Sequence, residues 1–164
     1  MSTVDVQQLL AFERCVRSEV GGKPHGFDPS GATSETIANL EAEVNKFAAM
    51  SATAEDFIAL VQQGVPSKES GLNELEKQFS AGRDAIGEYY AQNVAMRKLA
   101  LAKILPQSDG RILEKYDALL VALASLHNNF NTLAWLVGEH AAEADPLAPG
   151  KFGSTEELFA AMGG

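Results

Sequence analysis

The chain has 164 residues, with 13 Lys and Arg against 22 Asp and Glu, a net charge of -9 and a pI near 4.8. Such a field repels phosphate backbones and anionic lipid headgroups, which disfavours nucleic acids and membrane surfaces as partners. Cys15 is the single cysteine, so an internal disulfide and a thiolate metal cluster are ruled out.

The 46% hydrophobic content is that of an ordinary globular domain. No stretch approaches the ~18 apolar residues of a membrane span. The opening Met1-Ser2-Thr3-Val4-Asp5 lacks the basic and apolar regions of a secretory signal. A cytoplasmic location is therefore expected.

Ser2-x-x-Asp5 reads as a capping box starting a first helix, whose apolar face is Val6, Leu9, Leu10, Phe12, Val16 and Val20. Cys15 on that helix is expected to be buried as a small hydrophobe. Gly21-Gly22-Lys23-Pro24 ends the helix, and a Gly/Pro-dense loop follows. A second helix is predicted from Ser34, with Ile37, Leu40, Val44 and Phe47 on one face. Thr53 with Asp56 suggests the cap of a third, shorter helix that buries Phe57, Leu60 and Val61 and stops at Gly64.

The strongest pattern runs from Leu72 to Ala144. Leu72, Leu75, Phe79, Gly82, Ile86, Tyr89, Asn93, Met96 and Ala100 alternate in steps of three and four. Pro106, Ser108, Asp109 and Gly110 interrupt them. The rhythm resumes at Ile112, Tyr116, Leu119, Leu123, Leu126, Phe130, Leu133, Val137 and His140. Two heptad runs joined by a tight turn predict an antiparallel hairpin with arms 72–105 and 111–144, each roughly 50 Å long. Leu113, Leu120, His127 and Ala134 widen the stripe, so the shorter N-terminal helices must cover its second edge.

The fold class expected is all-α, an antiparallel bundle of three to four helices spanning residues 1–146. Residues 147–164 read as a Pro/Gly linker and a short amphipathic helix capped by Ser154 and Glu157, with Leu158, Phe159 and Met162 as its apolar patch.

No phosphate-binding loop, dinucleotide fingerprint, nucleophile elbow, His-Glu-x-x-His or Glu-x-x-His pair is present. Two polar clusters remain. With a turn near Pro106, residues whose numbers add to about 215 face each other across the hairpin. That sets Glu88 opposite His127, with Tyr89, Tyr90 and Asn128 nearby. The group reads either as a small-ligand site or as a hydrogen-bonded layer that fixes register. At the open end, His140, Glu143, Glu139, Glu74 and Glu76 supply nitrogen and oxygen donors for a divalent metal, or form a solvated helix end.

Trp135 and Leu136 fall off the seam. They, with Leu158, Phe159 and Met162, either pack on the bundle or meet a partner. The function expected is a non-enzymatic interaction module, an adaptor, chaperone-like or inhibitor-like bundle, that binds a protein partner or forms a homodimer. The alternative is a metal- or small-ligand-binding bundle. No cofactor is expected beyond that metal.

Overall fold

The computed structural model describes residues 5–24, 34–63, 72–103 and 110–144, with the side chains of residues 110 and 140–144 excepted. Four helices account for nearly all of them: α1 (Val6–Val20), α2 (Ser34–Gln63), α3 (Leu72–Lys103) and α4 (Gly110–Ala144). No strand occurs among the described residues. The all-helical expectation and the hairpin of α3 against α4 are both observed.

α1 begins later than Ser2-x-x-Asp5 suggested. Asp5 is the cap: its carboxylate accepts from the Gln7 amide at 3.2 Å, and the Gln8 side chain accepts from the Asp5 amide at 3.0 Å. A glutamine three residues on completes the box that the earlier serine was expected to open. Residues 1–4 lie outside the described residues.

The second and third predicted helices are one. α2 runs unbroken through Thr53, whose hydroxyl donates back to the Ala49 carbonyl at 3.1 Å. Between Phe47 and Phe57 the chain has no Gly or Pro, and its alanines favour continuation over a new start. α2 is thus 30 residues long, a full partner of the hairpin and not a short cover.

The hairpin register is close to the expected one. Arg97 bonds Asp117, Arg83 bonds Asn131, and Gly138 abuts Glu76, pairs whose numbers all add to 214. Glu41 meets Lys115, and Ser51 meets Ser125 at 2.7 Å, both with an offset of 74. A constant offset means that α2 and α4 run parallel. Phe12 packs on Phe57 while Glu19 pairs with Lys46, so α1 is antiparallel to α2. α1 and α3 therefore point one way, and α2 and α4 the other. α2 lies along α4 and α1 along α3.

The seam residues do what their spacing requires. Leu72, Leu75, Phe79, Ile86, Ile112, Tyr116, Leu119, Leu123, Leu126, Phe130, Leu133 and Val137 have no exposed surface. One phenylalanine from each helix joins the four together: Phe130 meets Phe79 at 5.0 Å and Phe12 at 5.8 Å, and Phe12 meets Phe57 at 5.2 Å. Each such ring pair stabilises by roughly 0.5–1.5 kcal/mol beyond its area. α1 has 15 residues against 35 in α4, so it covers only the half of the bundle that holds these rings. Cys15 is exposed, not buried as expected, because it lies beside the buried positions Glu13 and Val16 and points away from them.

No described helix is long and apolar enough to cross a membrane. The linker and short helix predicted over 147–164 lie outside the described residues.

Candidate functional site: the outer face of α4

α4 is the central element, touching α3 and α2 along its length and α1 through Phe130. Three sides of it are thereby covered, and one faces outward. The heptad seam places Val121, Ala124, Ser125, Asn128, Thr132 and Trp135 on or beside that side. From residue 118 to residue 138 there is no Asp, Glu, Lys or Arg, in a chain where 21% of residues are charged. The apolar seam explains the inward positions; it does not explain an outward side with no charge. Val121 is 71% exposed, the most exposed large hydrophobic side chain among the described residues.

Two depressions flank this face. Between α2 and α4 runs a groove of about 330 Å³ whose walls include Val44, Ala48, Ser51, Glu55, Ala118 and Val121. The small residues let the two parallel helices approach closely. The Ser51–Ser125 contact and the Asn129 amide, which donates to the Ser51 hydroxyl at 3.0 Å and its carbonyl at 3.1 Å, tie the floor together. Between α3 and α4 lies a cleft of about 250 Å³ lined by Gly87, Tyr90, Ala124, His127 and Asn128. The side chains of Tyr90, His127 and Asn128 make no hydrogen bond to any described residue.

The cluster expected around Glu88 is divided by this geometry. Tyr90, His127 and Asn128 come together in the cleft. Gly87, not Glu88, stands opposite the imidazole: a Cβ there would sit 3.7 Å from two ring atoms. Glu88 is exposed on the outer side of α3. Tyr89 points the other way, into the core, where its hydroxyl donates to Glu43 at 2.6 Å.

At the open end, Glu74 and Glu139 are exposed, and Glu76 is buried with its side chain against Gly138. The side chains of His140 and Glu143 lie outside the described residues. No group of three His, Cys, Asp or Glu with metal-ligand geometry forms among the described residues. Trp135 is half-buried against the core and Leu136 is buried. Leu158, Phe159 and Met162 lie outside the described residues.

The interior also holds acids. Glu13 and Glu43 are almost fully enclosed. Glu13 pairs with Arg17 at 2.7 Å, and Arg17 continues to the carbonyl and side-chain oxygens of Gln78. Burial raises the Glu13 carboxyl above its ordinary value of 4.5, the Arg17 hydrogen bond and charge opposing. Glu43 accepts from Tyr89 and lies 3.9 Å from Lys46. Burial, then the Glu43 hydrogen bond and charge, push the Tyr89 phenol upward. Burial first and Glu43 second push Tyr116 up to about 12. Glu13 Oε1, Glu43 Oε2 and Asn93 Oδ1 have no hydrogen-bond partner among the described residues.

These acids were legible in principle. Val6, Leu9, Glu13, Val16 and Val20 step by three and four, as do Leu40, Glu43 and Phe47. Each glutamate thus occupies a seam position. The charge-free run of α4 was likewise open to reading.

No protein-family model, no curated protein and no solved structure matches the chain.

Proposed function

We propose that this chain is a non-enzymatic protein-interaction module and that the outer face of α4 is where its partner docks. The observation that carries the proposal is the 71% exposed Val121 on a charge-free helical face flanked by two depressions. Contiguous uncharged surface of this kind marks binding sites on proteins that otherwise cover themselves with charge. A cytoplasmic setting belongs to the same proposal: one exposed, unpaired thiol accords with a reducing compartment.

The test is native mass spectrometry of the untagged protein from its own source, with Val121→Glu and, as control, Ala49→Glu at an exposed α2 position that is not part of the groove lining. An assembly heavier than one chain, lost in Val121→Glu and kept in Ala49→Glu, supports the proposal and reveals whether the partner is another protein or a second copy. An assembly indifferent to Val121→Glu refutes this surface. Val121 is too exposed for the substitution to disturb the core.

A second reading rests on the cleft. Tyr90, His127 and Asn128 present an aromatic face, an imidazole and an amide to one space of about 250 Å³, a set suited to a small polar ligand. Co-purified small molecules released by denaturation and identified by mass spectrometry test it. A ligand lost in His127→Ala with unchanged thermal stability supports it; a stability loss alone makes the residues structural.

A further inference from the structure

The rim of the α4 face carries information about what fits it. Glu55 forms part of the groove wall, Glu114 is exposed at one end of the charge-free run, and Glu139 is exposed at the other. None of the three has an ion pair among the described residues. The cations near the face are engaged: Lys115 with Glu41, Arg97 with Asp117, and Arg83 with Asp84 and Asn131. Arg111 is not free either. An uncharged strip is thus bordered by carboxylates without an ion pair among the described residues, on a chain of net charge -9.

Shape narrows the occupant further. The groove is the furrow between two parallel helices, its walls made of Ala48, Ser51, Ala118 and Val121. Small walls let a third helix settle with its own ridge in the furrow. A strand has nothing to pair with, because helix backbones satisfy their own hydrogen bonds. The 21 positions of the charge-free run extend for roughly 30 Å.

Resting on the docking proposal above, we infer that the partner is an amphipathic helix of another protein, about six turns long, with a narrow apolar stripe flanked by lysine or arginine. A second copy is the weaker occupant, since it brings the same acidic rim and the same net charge against itself.

The probes are fluorescent, helix-forming synthetic peptides with Ala, Val or Leu on the stripe and Lys and Arg on its flanks. One control has its cations replaced by Glu, and another is a basic scramble with no stripe. Binding to the full chain is read by anisotropy at low and physiological salt. Expected is saturable one-to-one binding by at least one striped basic peptide, weakening as salt rises. Val121→Glu weakens it about tenfold or more, and Glu55→Lys and Glu114→Lys weaken it severalfold. Glu35→Lys, remote from the face, leaves it unchanged.

Equal binding of the scramble, or equal weakening by Glu35→Lys, overturns the inference by exposing unspecific attraction. Equal binding of the acidic peptide overturns the assigned charge. A homodimer that Val121→Glu dissociates, with no peptide bound, keeps the docking surface and overturns its occupant. No peptide binding and no assembly dependent on Val121 overturn both.

Discussion

Gly82 and Gly87 lie little more than a helical turn apart on α3, and replacing each by alanine should act in opposite directions. In a helix the change alone stabilises by about 0.5–1 kcal/mol, through lost freedom of the unfolded chain and better propensity. At Gly87 little opposes that gain, because the added carbon meets His127 at 3.7 Å, an ordinary contact distance. At Gly82 the added carbon lies 2.8 Å from Glu13 Oε2 and 2.8 Å and 3.0 Å from two Phe130 ring atoms. Neither neighbour has room. Phe130 is fully buried between Phe79 and Phe12, and Glu13 is enclosed and held by Arg17. Overpacking at a site of this kind costs ~1–3 kcal/mol, occasionally more, and moving Glu13 off Arg17 adds to it. Gly82→Ala is therefore expected to lose about 1–2 kcal/mol net, and Gly87→Ala to gain about 0.5–1 kcal/mol. For a chain of this size those values correspond to a Tm lower by roughly 2–8 °C and higher by roughly 1–4 °C. Urea and thermal unfolding followed by helical circular dichroism read both. A Gly82→Ala protein as stable as the parent refutes the close approach of α1, α3 and α4 at this level.

Three further predictions concern the buried polar groups and the thiol. Because the Glu13 carboxyl titrates above its unfolded value, its contribution to stability is complete below pH 4.5 and declines as pH rises through the folded value. Glu13→Gln should remove that downward slope from the difference between the two stability curves, and an identical pH dependence in both proteins contradicts the burial of Glu13. Tyr89→Phe strips Glu43 of the donor at 2.6 Å, leaving Lys46 at 3.9 Å. It should cost about 1–3 kcal/mol in urea unfolding, and a neutral effect argues against the contact. Cys15 should react with a thiol reagent in the native protein without denaturant; reaction only after denaturant is added refutes its exposure.

The hairpin was readable because its signal is redundant. Eighteen seam positions repeat one rhythm, and the turn chemistry at Pro106 to Gly110 fixes where the rhythm reverses. Opposing residues could therefore be paired to within one position. Thr53 misled because a capping signature is a local preference of ~1 kcal/mol, whereas an alanine-rich segment already inside a packed helix has no reason to stop. Ser2 misled in the same way, with Gln8 completing a better box three residues later. The cleft was only partly legible. Heptad counting resolves which residues share a level of the bundle, but a step of one residue turns a side chain by ~100°. That step separates Glu88 from the Gly87 that faces His127, and sends Tyr89 inward while Tyr90 lines the surface. The buried glutamates were missed for another reason: acids are almost never enclosed without partners, and those partners, Arg17 with Gln78 and Tyr89, come from the same or a distant helix that only the fold brings near.

The parallel alignment of α2 and α4 bears on how the molecule assembles. Contacts across the hairpin, such as Arg97 with Asp117, close an interval of 20 residues, whereas Ser51 and Ser125 are separated by 74. Shorter intervals cost less entropy to close, so α3 and α4 can zip together while α2 is still searching. The furrow between α2 and α4 is then the last surface to exist. Until α2 arrives, α4 shows a second apolar flank to the surrounding solution, and the uncharged stripe of the finished bundle is wider and stickier during its birth. A partner helix present at that stage would compete with α2 for the place beside α4.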